Sequence, residues 1–395
     1  MSEDTRIVVV GGGIVGASVA YHLARRGVAV VVIEGVEAGS ATGAGAGIIC
    51  PWTGPDDGPA YRLGADGARY YPDLIAMLAE DGEAGTGYRQ VGALCLTGEA
   101  AHTGTGTGSG AAAGDHASLR EFAAHMRTRL PEYPEIGEIS VLAPGRPREL
   151  FPPLAGELGA VWIGGAARID GRAIRGSLLR AAVRHGAQRM TGTAVLTESR
   201  GRITGVVEAA SSEAIEADTV VVAAGAWTAR ICATLGHAAA VSLAIGPQRG
   251  QIVHLEVPGT DTSRWPVVLP AHGPYLLAFP PSRVVLGATR EAAGFDDRVT
   301  AGGLGGLLAA AAGLAPGLAD ATVVQTRVGF RPVTPDGLPL LGTLTDGLVV
   351  AAGNGPEGLT AGPWTGRAAA SLALGERPPA DLTAFDPARP LRWPE

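Results

Sequence analysis

Cysteine is scarce. Three residues, Cys50, Cys95 and Cys232, are scattered over 395 positions and form no C-x-x-C pair. That spacing argues against a disulfide framework and a zinc site, no metal is expected, and a reducing compartment fits. Charge is sparse too, at 17% of residues, and the formal net charge of −7 comes without a basic stripe. Nucleic acid and anionic lipid are therefore not expected as partners. Long apolar runs are missing: the most apolar late segment, "GGLGGLLAAAAGLAPG" (302–317), is short, broken by glycine and closed by Pro316. It predicts a buried or half-buried helix, and no transmembrane segment is expected. The opening "MSEDTRIVVV" enters a strand after six polar residues. This leaves no room for a charged region followed by an apolar one, so a cytoplasmic protein is expected. No convincing 20–50-residue repeat is found.

What is abundant is small and apolar. Sixty glycines and a 46% hydrophobic content describe a chain able to fill an interior, and its length favours two intimately joined domains. The stretch "VVVGGGIVGASVAYHLARRG" (8–27) starts with a β-branched run suited to a central parallel strand. Gly11, Gly13 and Gly16 then follow the G-x-G-x-x-G spacing: a tight turn, close approach to a pyrophosphate, and close helix–strand packing. Ile14 and Val15, within the same motif, are counted with the cofactor-binding residues; from Ala17 to Arg26 the pattern is helical, and Gly27 suits its end. A second apolar strand, "VAVVVIE", closes on Glu34, placed to accept hydrogen bonds from both hydroxyls of an adenosine ribose. The loop is thus built for a dinucleotide pyrophosphate.

A nicotinamide enzyme normally continues with alternating strands and helices. Here the chain runs into "GVEAGSATGAGAGIICPW" (35–52), a small-residue loop able to lie flat against a large ring. At this point the sequence resembles the glycine/D-amino-acid oxidase (DAO) superfamily of FAD-dependent amine oxidoreductases, and the likeness recurs in segments 162–188, 217–231, 246–256, 328–342 and 349–375. It implies an α/β fold in which a Rossmann-like, doubly wound FAD-binding domain (1–80, 145–225 and 325–395) is interleaved with a substrate-binding domain built on an antiparallel β-sheet (81–144 and 226–324). The stretch "GEAAHTGTGTGSGAAAG" (98–114) reads as a surface loop or variable insertion.

The resemblance also implies site residues. Arg331, in "GFRP", offers a rigid fork to a substrate carboxylate, and Tyr275, in "HGPYLLAFP", is placed toward the same cavity. For the cofactor it implies Ser40, Ala41, Gly47 and Ile48 in the flavin loop, the backbone of Ala194–Val195 at the adenine edge, and Ala224 and Gly225 after the second strand. Gly329 and Arg331 lie near the ring. Asn354, Gly355, Gly358, Leu359 and Thr360 sit at a helix start facing the flavin pyrimidine, where helix N–H groups and the Thr360 hydroxyl would meet negative charge. Many relatives carry histidine where this chain has Asn354. Those with a flavin thioether supply it from the C-terminal half, which holds no cysteine here, so non-covalent FAD is expected and Cys50 reads as a packed side chain. Asp336 reads as a turn residue, His272 as a solvated loop histidine, and Trp52, Trp227 and Trp364 as packing residues.

The activity implied is oxidative deamination of an amino acid, glycine or a D-amino acid. Hydride passes from Cα to flavin N5, the imine hydrolyses to a keto acid and ammonia, and oxygen or a quinone takes the electrons. A sarcosine-type or proline-type secondary-amine oxidase, a tailoring enzyme for a larger amine, a hydroxy-acid oxidase with His272 as base, and a flavoprotein dependent on a partner subunit are the alternatives.

Overall fold

The computed structural model describes residues 5–54, 57–96, 116–233, 235 and 243–393; the low-complexity stretch 98–114 lies outside them. The strand Arg6–Val10 is buried from Ile7 onward because it has parallel neighbours on both edges. Val8 lies opposite Val31 of Ala29–Glu34 on one side and opposite Val220 of Thr219–Val222 on the other. Strands clothed on both faces can be continuously apolar, and these are. Gln188–Thr191 extends the sheet beyond Ala29–Glu34, while Leu348–Ala352 and the antiparallel hairpin strand Leu340–Thr345 extend it beyond Thr219–Val222, giving six strands.

The helix Ile14–Ala24 is buried throughout, since it packs against both Gly171–Arg184 and Gly358–Ala373. Small residues permit the second contact. A Cβ on Gly366 would come within 2.5 Å of the Ser18 Cβ, and the buried Ser18 hydroxyl donates to the Pro363 carbonyl at 2.6 Å. A polar group is thereby satisfied inside an otherwise apolar junction. Gly27 has a φ of +77° just after the helix, in keeping with its expected role.

The second layer is an eight-stranded sheet in the order Thr322–Val333, Gly246–Glu256, Arg283–Gly287, Tyr275–Phe279, Val267–Leu269, Ala93–Cys95, Ala160–Ile163, Ile139–Leu142. It is antiparallel apart from the pairing of Val267–Leu269 with Ala93–Cys95. The helix Ala301–Leu314 buries Leu307, Ala311 and Leu314 in the same cluster as Val253, Leu255 and Leu276, while most of its small residues stay exposed. It is the half-buried helix foreseen for 302–317.

Two strands correct the domain boundaries read from the sequence. Ala160–Ile163 and Thr322–Val333 fall largely within the segments assigned to the FAD-binding domain, yet both are hydrogen-bonded members of the eight-stranded sheet. Short apolar runs broken by glycine look alike in either layer; the partner across the ladder decides membership. Arg331 therefore stands on the substrate-side sheet. Among the described residues no helix is long and apolar enough to cross a membrane.

Candidate active site

The cofactor-side wall starts where Arg6–Val10 ends. The Gly11 N–H donates to the Ile33 carbonyl at 2.8 Å, and its φ of +109° is one that side-chain-bearing residues rarely adopt. A Cβ there would fall on the Ala223 carbonyl. Gly13 precedes the helix without a side-chain cap, and Ile14 N donates to Thr42 Oγ1 at 3.0 Å. The remaining first-turn N–H groups and the helix dipole suit a pyrophosphate. Gly16 packs beneath this wall, where a Cβ would strike the Gly11 carbonyl.

Glu34 stands beside Gly12 at the end of its strand. Its carboxylate pairs with Arg175 from the Gly171–Arg184 helix and with Arg189 from the neighbouring strand, and Arg175 Nε also donates to the Gly12 carbonyl at 2.5 Å. Each carboxylate oxygen retains lone pairs for a ribose hydroxyl. Ser40 caps the short helix Ala41–Ala44 by accepting from Gly43 N at 3.4 Å. Ser40, Ala41, Gly47 and Ile48 line the cleft, as do Ala224, Gly225, Gly329, Asn354, Gly355, Gly358, Leu359 and Thr360. The cavity they share measures about 2100 Å³. Drug-sized pockets run to roughly 1,000 Å³, so an extended dinucleotide and a small substrate fit together. The first-turn N–H groups beyond Ile14, the fold of Gly11 and this volume suit FAD.

Thr322–Val333 then continues the cleft wall through Gly329, Phe330 and Arg331. Phe330 N donates to the Gly39 carbonyl at 2.9 Å, bracing the strand against the flavin loop, and the next residue is Arg331. Its guanidinium lies over Gly250 of the neighbouring strand, where a Cβ would approach Nη1 to 2.5 Å. Nη1 donates to the Thr289 carbonyl at 3.1 Å, and the guanidinium lies within electrostatic reach of the Tyr275 phenol. Among the described residues no carboxylate pairs with it. Burial pushes the Arg331 pKa below its usual range. Burial likewise raises that of Tyr275 although Arg331 opposes the shift, so the phenol keeps its proton. Glu291 accepts from the hydroxyl of Thr289, whose carbonyl holds the Arg331 guanidinium. Burial alone would raise its pKa, but hydrogen bonds from Thr289, Arg249 and Gln251 outweigh burial and hold it below the usual carboxylate range. Arg290 lines the same cleft and lies within electrostatic reach of both Arg331 and Tyr275.

A doubly wound sheet whose glycine turn accepts a dinucleotide, roofed by a second sheet presenting an unpaired guanidinium, defines a flavin-dependent oxidoreductase. The family model described as "DAO: FAD dependent oxidoreductase" matches residues 6–372, and the chain belongs to that family. It is 44% identical over 389 residues to the uncharacterized oxidoreductase YurR of Bacillus subtilis (strain 168), covering 97% of this chain and 99% of that one. The crystal structure of iminodiacetate oxidase (IdaA) from Chelativorans sp. BNC1 superposes with a TM-score of 0.88 at 43% identity, over 97% of this chain and 99% of the other. The glycine oxidase of Geobacillus kaustophilus (strain HTA426) is 30% identical over 394 residues, 98% of this chain and 97% of that enzyme; a crystal structure of glycine oxidase from Geobacillus kaustophilus gives a TM-score of 0.81, over 98% of this chain and 100% of that one. That structure is similarly built from a parallel FAD-side sheet and a largely antiparallel roof.

The structure departs from the sequence reading at several site positions. Of the pair Ala194–Val195, Ala194 lines the cleft with Gly192 and Thr193 and Val195 does not, because the wall ends as Ala194–Ser199 turns into its own three-stranded sheet. The Thr360 hydroxyl, expected to donate toward the flavin, donates instead to the Ile48 carbonyl at 3.0 Å. The backbone N–H groups of the helix start remain for that task. Asn354 lines the cleft but its Nδ2 donates to Thr365 Oγ1 at 3.0 Å, tying the turn to the helix it introduces. Trp227 packs against Phe330 and Phe295 and also lines the cleft. Asp336 forms the expected turn, accepting from Leu338 N at 3.1 Å, and pairs with Arg389. His272 is exposed on the cleft rim. Sequence reasoning missed Gly250, Thr289, Arg290 and Glu291; a glycine inside the strand "GPQRGQIVHLE" was the available sign of close approach.

Proposed function

We propose that this chain oxidises the CH–N bond of a small amine bearing a carboxylate, with FAD held non-covalently. Arg331 carries the reading. The Arg331 side chain is only partly exposed on the cleft and no protein carboxylate meets it among the described residues, so an anion that completes its burial is favoured. A substrate carboxylate supplies that anion and accepts the rigid fork. Bound FAD would supply the acceptor for the two electrons leaving the CH–N bond. Arg331 and Tyr275 hold the carboxylate, which fixes the α-carbon relative to the flavin loop braced by Phe330. The phenol of Tyr275 donates a hydrogen bond and takes no proton. The substrate nitrogen sheds its proton to solvent, and the resulting imine hydrolyses to an oxo acid and the released amine.

A secondary amine with two carboxylates, of the N-carboxymethyl kind, fits best. Arg290 is a second cation on the same cleft, with no carboxylate partner among the described residues, and the 43% identity to iminodiacetate oxidase supports the same reading. Glycine or a D-amino acid is the second reading, supported by the 30% identity to glycine oxidase.

The test is anaerobic bleaching of the visible flavin band by iminodiacetate, sarcosine, glycine, D- and L-amino acids, proline and a carboxylate-free secondary amine. Bleaching by the carboxylated amines, iminodiacetate fastest, is expected, and admitting air then separates oxygen from another acceptor. Equal bleaching by the carboxylate-free amine overturns the proposal. Arg331→Met is expected to keep its flavin and to raise the apparent KM for carboxylated amines by about 30-fold or more, since truncating one partner of a buried charge pair costs about 2–5 kcal/mol.

A further inference from the structure

We infer that Thr289 and Glu291, anchored by Arg249, are positioning residues that set where the Arg331 guanidinium stands; this rests on the reading of Arg331 as the carboxylate clamp. The stretch after Arg283–Gly287 continues alongside Gly246–Glu256. Arg249 and Glu291 exchange backbone hydrogen bonds of 3.0 Å, and Thr289 N donates to the Gln251 carbonyl at 3.2 Å. Arg331 arrives from the opposite edge of the same strand, paired with Gln248. It reaches across Gly250 to the Thr289 carbonyl. The position of that carbonyl thus decides the position of the guanidinium.

Side chains pin the carbonyl's own residue. Thr289 Oγ1 accepts from Gln251 N at 2.8 Å and donates to Glu291 Oε1 at 2.5 Å. Gln251 Nε2 donates to the same Glu291 oxygen at 2.7 Å. Arg249 takes the other oxygen through Nε at 3.0 Å and through Nη2. Arg249 is itself 5% exposed and is tied further by an ion pair with Asp296 at 2.9 Å. Gln251 also links this cluster to Thr300, the cap of Ala301–Leu314, through bonds of 3.0 and 2.9 Å.

The Glu291 carboxylate therefore collects donors from Thr289, Gln251 and Arg249. Its charge is spent on holding the bend that presents the Thr289 carbonyl. Removing it leaves Arg249 short of an acceptor and frees the Thr289 hydroxyl, so the carbonyl and the guanidinium resting on it shift. Displacements near 1 Å cost on the order of 100-fold in well-positioned sites.

The experiment uses purified, flavin-bearing Thr289→Val, Thr289→Ser and Glu291→Gln proteins, with Arg331→Met as reference. KM and kcat are measured on whichever carboxylated amine bleaches the parent enzyme. Thr289→Val and Glu291→Gln are expected to raise KM about 10-fold or more while kcat stays within about threefold, and Thr289→Ser is expected to restore the parent KM. If Glu291→Gln fails to fold, the Thr289→Val and Thr289→Ser pair decides. Parental KM in folded Thr289→Val overturns the inference, as does a loss in Thr289→Val that Thr289→Ser does not repair. If Arg331→Met raises KM and the others do not, the clamp stands and the positioning role fails. An unchanged KM in Arg331→Met removes both.

Discussion

Alanine at Gly250 is the sharpest probe of the clamp. A Cβ built there stands 2.5 Å from Nη1, 2.7 Å from Nη2 and 2.8 Å from Cζ of Arg331, whereas ordinary contact begins at 3.4 Å. The guanidinium must retreat by about 0.9 Å, because the new methyl is fixed to the strand and the arginine end is free to swing. Gly250 does not adopt a left-handed backbone, so the substitution adds no dihedral strain. Overpacking costs about 1–3 kcal/mol in a tight core, and a mobile side-chain end places Gly250→Ala at the low end. At about 2.1 cal/mol/K of unfolding entropy per residue, a chain of 395 residues loses only about 1 °C in Tm per kcal/mol. Catalysis suffers more: a misplacement near 1 Å costs about 100-fold, equivalent to about 2.7 kcal/mol of barrier. The assay is steady-state oxidation of a carboxylated amine, read beside the visible flavin spectrum and a thermal melt. The expected result is a kcat/KM lowered about 10- to 100-fold in a protein that keeps its flavin. A Gly250→Ala enzyme within twofold of the parent refutes the reasoning, since the guanidinium would then not be working where it lies over Gly250.

Other perturbations test the scaffold. Gly11→Ala places its methyl on the Ala223 carbonyl, which is backbone and has nowhere to go, so the purified protein should lack the visible flavin band; a normal flavin content would refute the assignment of that turn. Glu83 accepts hydrogen bonds from Arg180 and Arg184 of Gly171–Arg184 at 2.5 and 2.6 Å. The Arg180 contact above all holds its pKa at about 2, against an ordinary 4.5. A depressed carboxyl stabilises the fold above the ordinary value, and that contribution is lost as pH falls from 4.5 toward 2. Glu83→Gln should therefore lower stability by about 1.5–3 kcal/mol at pH 7, and denaturant melts should show the gap closing between pH 4.5 and 2. A gap independent of pH would show that the ion pairs are not its source.

Much of the cofactor side was legible because it is local. Strand, glycine turn, helix and terminal Glu34 follow one another within 30 residues, and each has its own chemical signature. Arg331 was legible only through family likeness, since a lone arginine before proline has no local meaning. The rest depended on register. Thr289 and Glu291 matter because they fall beside Gln251 and Arg249, some forty residues away in sequence, and no local pattern encodes that pairing. The same holds for Ala160–Ile163 and Thr322–Val333, whose apolar content says strand but not which sheet. The partner of the Thr360 hydroxyl at Ile48 and the point after Ala194 where the strand leaves the cleft wall were not legible for a related reason: both exist only in three dimensions.

The strand Thr322–Val333 joins the flavin loop, through Phe330, to the anion clamp, through Arg331, in two consecutive residues. Any motion of one layer against the other carries both points together, so the interval between them is a ruler cut into the backbone. With Arg331 as the proposed carboxylate clamp, such a site would sort candidate molecules by how many bonds separate their carboxylate from the C–H to be broken, ahead of their bulk. A β-amino acid of the same size would present the wrong carbon.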